Sequence, residues 1–206
     1  MNIRQVLLAV CGIVFACSAG ASPGPSLLER LDRGVVALRS DESTTFVSWR
    51  LLGTDPAGVE FNVYRQIGGG APQKVNSAPL GGSTTFQDTP GSFVSALTYT
   101  VAPVVGGVEQ AADGSFTFPA GVAVQSYLAV PLQIPAPGVT PLGEGYTYHA
   151  NDCSVGDLNG DGQYEIIVKW DPSNAKDNSQ DGVTGEVYLD AYRLDGTRLW
   201  RINLGR

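Results

Sequence analysis

Between residues 31 and 118, short apolar runs alternate with polar positions and are cut by glycine or proline about every ten residues, the pattern of antiparallel strands joined by turns. Residues 35–38, 45–51, 61–65, 84–88 and 97–102 each read as a strand. Gly68-Gly69-Gly70, Gly81-Gly82, Pro90-Gly91 and Gly106-Gly107 supply the breaks. A period of two places Val47, Trp49 and Leu51 on one face, and it places Phe61 and Val63 on a face that Tyr99 and Val101 meet across the sheet. These aromatics are assigned to a core rather than to a sugar platform. A small β-sandwich over residues 27–118 follows.

Residues 119–145 alternate apolar side chains with Pro119, Pro131, Pro135, Pro137 and Pro141, which predicts an extended connector. Val122, Val124, Tyr127 and Leu128 make it too apolar for a free linker, so it should dock on a neighbouring surface. From residue 146 onward the strand pattern returns. Residues 166–170, 186–192 and 198–202 read as strands, Asp195-Gly196 as a hairpin turn, and residues 171–182 as a polar loop too long for a tight hairpin. Three or four short strands in this order resemble one blade of a β-propeller. A second copy is not visible, and a lone blade has open edges, so the chain reads as the beginning of a longer protein.

The most pointed chemistry precedes the strand at 166–170. In Asp157-Leu158-Asn159-Gly160-Asp161-Gly162-Gln163-Tyr164-Glu165, oxygen side chains stand at the first, third and fifth positions and a carboxylate closes the run. Asp157, Asn159, Asp161, the carbonyl of Gln163 and Glu165 can together surround one calcium ion, with Gly162 allowing the sharp turn. An EF-hand would bring its last carboxylate later and continue as a helix, whereas β-branched residues follow here. Asp, Asn and Gly also dominate metal-free turns, so an Asx-rich turn between strands is the competing reading.

Composition narrows the setting. Residues 1–21 carry Arg4, an apolar run and an Ala-Gly-Ala ending, the layout of a secretory signal cleaved after Ala21, with lipoprotein processing before Cys17 as the alternative. Export is expected either way, and no later apolar run is long enough to span a membrane. Cys11 and Cys17 fall in that leader, so Cys153 is left without an internal disulfide partner and is expected to be a small buried thiol. His149, the one histidine, is expected to make an ordinary hydrogen bond. Without the leader the chain has 12 basic against 20 acidic residues, a net charge of −8, which excludes a nucleic-acid footprint. Bound divalent ions would let so acidic a protein hold an acidic ligand.

Longer stretches are more specific. Leu31-Asp32-Arg33-Gly34-Val35-Val36-Ala37, residues 46–55, Asn151-Asp152-Cys153-Ser154-Val155-Gly156-Asp157, Lys169-Trp170-Asp171-Pro172-Ser173-Asn174, residues 190–196 and residues 199–205 resemble the amino-terminal part of the rhamnogalacturonan lyases of polysaccharide lyase family 11. The resemblance implies an all-β protein: a fibronectin type III-like sandwich followed by the first blade of an eight-bladed β-propeller, truncated here. It implies bound calcium, and eliminative cleavage of the rhamnose–galacturonate backbone of pectin, rhamnogalacturonan I, by a secreted enzyme that is monomeric at full length. It also implies that Asn151 and Asp171 belong to the substrate-binding lining, as neighbours of the calcium loop. A carboxylate beside bound calcium is a weak base, so Asp171 is assigned to binding. The catalytic acid and base are expected beyond Arg206, leaving the chain inactive alone. Two rival readings remain: a calcium-dependent carbohydrate-binding or adhesion protein with integrin-like propeller repeats, and a complete, inactive scaffold that self-associates through its open edges.

Overall fold

The computed structural model describes residues 30–206. The predicted leader, with Cys11 and Cys17, lies outside the described residues, as do residues 27–29 of the predicted sandwich. Among the described residues the secondary structure is strand and turn, without helix, and no sheet closes on itself.

Two antiparallel sheets share the first core. Strands Val36–Arg39, Thr45–Ser48 and Thr85–Asp88 make one sheet, with the second strand in the middle. The other is built on Glu60–Ile67, paired along its whole length with Leu97–Val105, while Gln73–Lys74 and Leu80–Gly81 cover one edge and Val108–Glu109 and Ser115–Phe118 the other. Val63 faces Val101 in that ladder, as the alternation predicts. Ala37, Val47 and Trp49 from the first sheet meet Phe61, Val63, Leu97, Tyr99, Val101 and Phe118 from the second in one buried cluster. Trp49 packs edge-on against Phe61 at 5.4 Å between ring centroids, a geometry that adds to the burial of both rings. Asp88 ties the two sheets together, accepting from Arg65 at 2.6 Å and from the Tyr99 hydroxyl at 2.8 Å. Burial, reinforced by Asp88, pushes the Tyr99 phenol above its usual range.

Leu51 departs from the prediction. The strand ends at Ser48, so the alternation that buries Val47 and Trp49 stops short of Leu51, which is 63% exposed. The chain bends away there because Arg50 returns its N–H to the carbonyl of Arg33 at 2.7 Å.

The connector docks on both halves of the molecule, though not through all the predicted residues. Gly121 donates its N–H to Phe93 and Gln125 to Arg39, and the Arg39 guanidinium reaches the Val122 carbonyl at 2.8 Å. Val122 packs on the first core, whereas Val124 and Tyr127 are exposed. An extended proline-rich segment lays one side on a surface and leaves the other in solvent. Farther on, Gln133 donates its N–H to the Tyr192 hydroxyl at 3.1 Å and accepts from Arg201 at 2.7 Å.

Strands Tyr148–Gly156, Glu165–Pro172, Val187–Tyr192 and Arg198–Gly205 form a four-stranded antiparallel meander in sequence order. Its buried apolar centre is small: Val168, Trp170 and Tyr192, flanked by Tyr148, Ile166 and Tyr188. Asp190, with 0% exposure, stands among them. Its carboxylate accepts from Trp170 Nε1 at 2.8 Å, the Tyr192 hydroxyl at 2.6 Å, and Arg201 at 2.7 and 2.6 Å. Burial pushes this carboxyl up, but the donors Arg201, Tyr192 and Trp170 outweigh it and hold the group below the usual carboxylate range. Cys153 is exposed, against expectation, because the first strand is a sheet edge whose residues 149–155 all face solvent.

Candidate functional site

The nine-residue loop folds as its residue types dictate. Asp157 accepts N–H bonds from Gly160 at 2.8 Å and Gly162 at 3.0 Å, Asn159 Oδ1 accepts from Asp161 at 2.8 Å, and Asp161 Oδ1 accepts from Gln163 at 2.9 Å. These are successive Asx turns, which wind the main chain around the side-chain oxygens. Gly160 and Gly162 take positive φ of 78° and 89°, where a side chain would be strained. The Asn159 amide nitrogen stands between two carboxylates, 2.9 Å from Asp161 Oδ2 and 3.2 Å from Glu165 Oε1.

Glu165 tests whether this loop suits a cation. It is 1% exposed, it accepts the Leu158 N–H at 2.8 Å, and among the described residues it makes no ion pair. A buried carboxylate of that kind is normally matched by a cation or a metal. Among the described residues no three His, Cys, Asp or Glu side chains form a metal cluster by themselves. Calcium would therefore draw on the Asn159 amide and a main-chain carbonyl as well, which is the mixed oxygen set this ion accepts. Of the predicted ligands, Asp161 and Glu165 meet at the Asn159 amide nitrogen, Asp157 accepts from the main chain of the same loop, and Gln163 gives its N–H to Asp161.

The loop also touches the first sheet pair. The Gly162 carbonyl accepts the Asp32 N–H at 2.8 Å and Arg50 Nη1 at 3.4 Å, while the Arg50 guanidinium lies 4.2 Å over the Tyr164 ring. A Cβ at Gly162 would sit 2.9 Å from Asp32 N. Asp32 is raised above the usual carboxylate range by burial, which outweighs the Gly34 N–H and Arg50 and is reinforced by Asp113 and Asp161.

Asn151 and Asp171 form a pair: Asn151 Nδ2 donates to Asp171 Oδ2 at 2.6 Å. They are not, however, neighbours of the loop. Asp171 opposes His149 and Glu165 opposes Gly156, so the pair lies six residues along the strand from Glu165, about 20 Å at the usual rise. A cation in the loop cannot govern Asp171 at that range. Lys169 Nζ does, 3.1 Å from Asp171 Oδ1.

Two family models match in tandem: the rhamnogalacturonan I lyase beta-sheet domain over residues 26–118, and the C-terminal domain of rhamnogalacturonan lyase family 11 over residues 127–206. The chain belongs to rhamnogalacturonan lyase family 11. Within it, the chain is 55% identical over 204 residues to the rhamnogalacturonan endolyase YesW of Bacillus subtilis, covering 99% of this chain and 31% of that protein. It is 48% identical over 184 residues to the exolyase YesX of the same organism, covering 89% of this chain and 28% of YesX. The crystal structure of YesW superposes with a TM-score of 0.73 and 59% identity over 86% of this chain and 28% of YesW, and a Bacillus licheniformis family 11 lyase superposes with 0.74 and 55% over the same shares. The chain thus spans about a third of the length of the curated relatives it matches.

Three residues of this family 11 chain were not singled out by its pattern. Lys169 carried a signal, a charge two places from Asp171 inside an apolar strand. Arg50 carried none, since its role depends on contact with residues more than a hundred positions away. Asp190 reads as an ordinary alternating polar residue until the sheet is assembled around it.

Proposed function

We propose that the protein is a secreted rhamnogalacturonan lyase that cleaves the rhamnose–galacturonate backbone of pectin by β-elimination, and that these residues bind the polysaccharide. The hydrogen-bonded Asn151–Asp171 pair on the bulged edge of the four-stranded sheet carries this reading, in a chain 55% identical to a rhamnogalacturonan endolyase. In architectural terms the two-sheet core is a fibronectin type III-like support, and the meander is the first blade of a larger propeller.

Elimination removes the C5 proton of a galacturonate, forms the C4–C5 double bond and breaks the bond from C4 to the rhamnose oxygen, which leaves and takes up a proton. The galacturonate carboxylate makes that proton reluctant to leave, so the site must neutralise the carboxylate and stabilise the enolate-like charge that develops. Asn151 offers an amide to sugar hydroxyls. Asp171 is committed through one oxygen to Lys169 and through the other to Asn151, which suits it to positioning rather than proton abstraction. These residues therefore hold the backbone without cleaving it by themselves. Calcium held by Asp157, Asn159, Asp161, Gln163 and Glu165 would stiffen the turn of the first hairpin and fix its contact with Asp32 and Arg50.

The test is ultraviolet absorbance of unsaturated uronate during rhamnogalacturonan digestion, by this chain and by the same chain extended to the length of its relatives, each with calcium and with chelator. Product from the extended, calcium-loaded protein supports the reading. Binding without product in both would instead make this a calcium-dependent carbohydrate-binding protein.

A further inference from the structure

We infer that Lys169 is a ligand for a substrate carboxylate, held ready for that role by Asp171 and Asn151. The inference rests on the lyase reading and extends it to one more residue. In the first hairpin of the sheet Ala150 pairs with Trp170 and Cys153 with Val168, so two residues, Asn151 and Asp152, stand against Lys169 alone. A bulge of this kind re-aims the side chains of the longer strand and tends to occur beside functional sites. Here it accompanies a three-member cluster: Asn151 Nδ2 lies 2.6 Å from one oxygen of Asp171, and Lys169 Nζ lies 3.1 Å from the other.

Lys169 and Asp171 are two residues apart on a strand and share a face, while Trp170 points into the core on the opposite side. The Lys169 side chain is 37% exposed and that of Asp171 13%. With its Lys169 end open to solvent, the pair is screened and adds little to stability, so stability does not account for gathering three polar groups at a bulge. An ammonium has three N–H donors, and Asp171 Oδ1 takes one of them. Two are left for a ligand.

The chemistry of the ligand completes the argument. A pectic backbone carries a carboxylate on every galacturonate, and a protein of net charge −7 repels such a polyanion unless it fixes cations where the chain must lie. Lys169 supplies that charge. Asp171 keeps the flexible stem from wandering, and Asn151 caps the other Asp171 oxygen, so the carboxylate does not compete for the whole ammonium.

A cycle between protein and ligand tests this. Calorimetric titrations of the calcium-loaded chain would compare rhamnogalacturonan oligosaccharide with the same oligosaccharide after carboxyl reduction, for wild type, Lys169→Met and Lys169→Arg. Wild type is expected to favour the native ligand by roughly fivefold. Lys169→Met should abolish that preference, and Lys169→Arg should restore part of it. A purely structural role would weaken both ligands alike, so a Lys169→Met variant that keeps the preference overturns the inference while leaving the lyase reading intact. Failure of wild type to bind either ligand would instead remove the lyase reading of this sheet, and the inference with it.

Discussion

The two halves of this chain solve the same folding problem with different materials. The two-sheet unit buries twelve hydrophobic residues in one cluster, with polar ties such as Asp88 joining its layers. The four-stranded sheet buries four, three of them in one cluster, and its interior is organised by Asp190 and its donors. Each kind of core has a consequence. Apolar packing tolerates volume-conserving swaps, whereas a buried charge network holds only while every partner is present. The sheet that carries the proposed chemistry is the one whose stability is delegated to polar groups, and the connector and the loop at Gly162 join it to the sturdier partner.

The sharpest way to break this contrast is Asp190→Ala. It strands the Trp170 N–H, the Tyr192 hydroxyl and the Arg201 guanidinium, at a cost of about 3–5 kcal/mol. Denaturant unfolding should show the sheet melting early while the two-sheet unit keeps its own transition. Leu97→Ala reverses the experiment. It leaves a cavity in the apolar core worth about 3 kcal/mol, and hydrogen exchange should quicken in Glu60–Ile67 and Leu97–Val105 with the four-stranded sheet unchanged. Gly162→Ala strikes the junction instead. Its φ of 89° and the nearness of Asp32 N predict a loss of about 1–3 kcal/mol felt by both halves, visible as faster proteolysis between them.

Acid sharpens the comparison further. Asp55 is held below the usual carboxylate range by Arg33, which it meets at 2.5 and 2.6 Å, and Asp190 is held below it by its donors against the effect of burial. Both folded values are depressed, so both contributions are present above the ordinary carboxylate pKa and are lost as the pH falls through the lower folded values. Each half should therefore lose stability in acid, as thermal melts at stepped pH would show. The smallest effect belongs to Cys153→Ser, where an exposed thiol predicts a change within about 0.5 kcal/mol.

Much of this was legible in the chain itself. Alternation located five strands of the two-sheet unit because one face is buried and the other wet; it missed Ser115–Phe118, and it failed at Leu51, where a long-range bond to Arg33 ends the strand. The loop from Asp157 to Glu165 announced itself because its turns are local, each Asx side chain serving a main-chain N–H a few residues on. The supposed closeness of that loop to Asp171 failed for a simple reason: a strand carries its two ends apart, and nearness in sequence becomes distance along it. The exposed Cys153 was illegible because alternation does not say which strand lies at an edge. Lys169 and Arg50 depend on contacts that exist only after pairing.

The division of labour is tested most directly by hydrogen exchange of the chain with calcium and with chelator, read peptide by peptide. Calcium is predicted to slow exchange through residues 157–170 and at the Asp32 amide, while Val63 and Val101 in the apolar core stay as they are. Identical exchange in residues 157–170 under both conditions, or a calcium effect confined to the two-sheet core, would contradict the account.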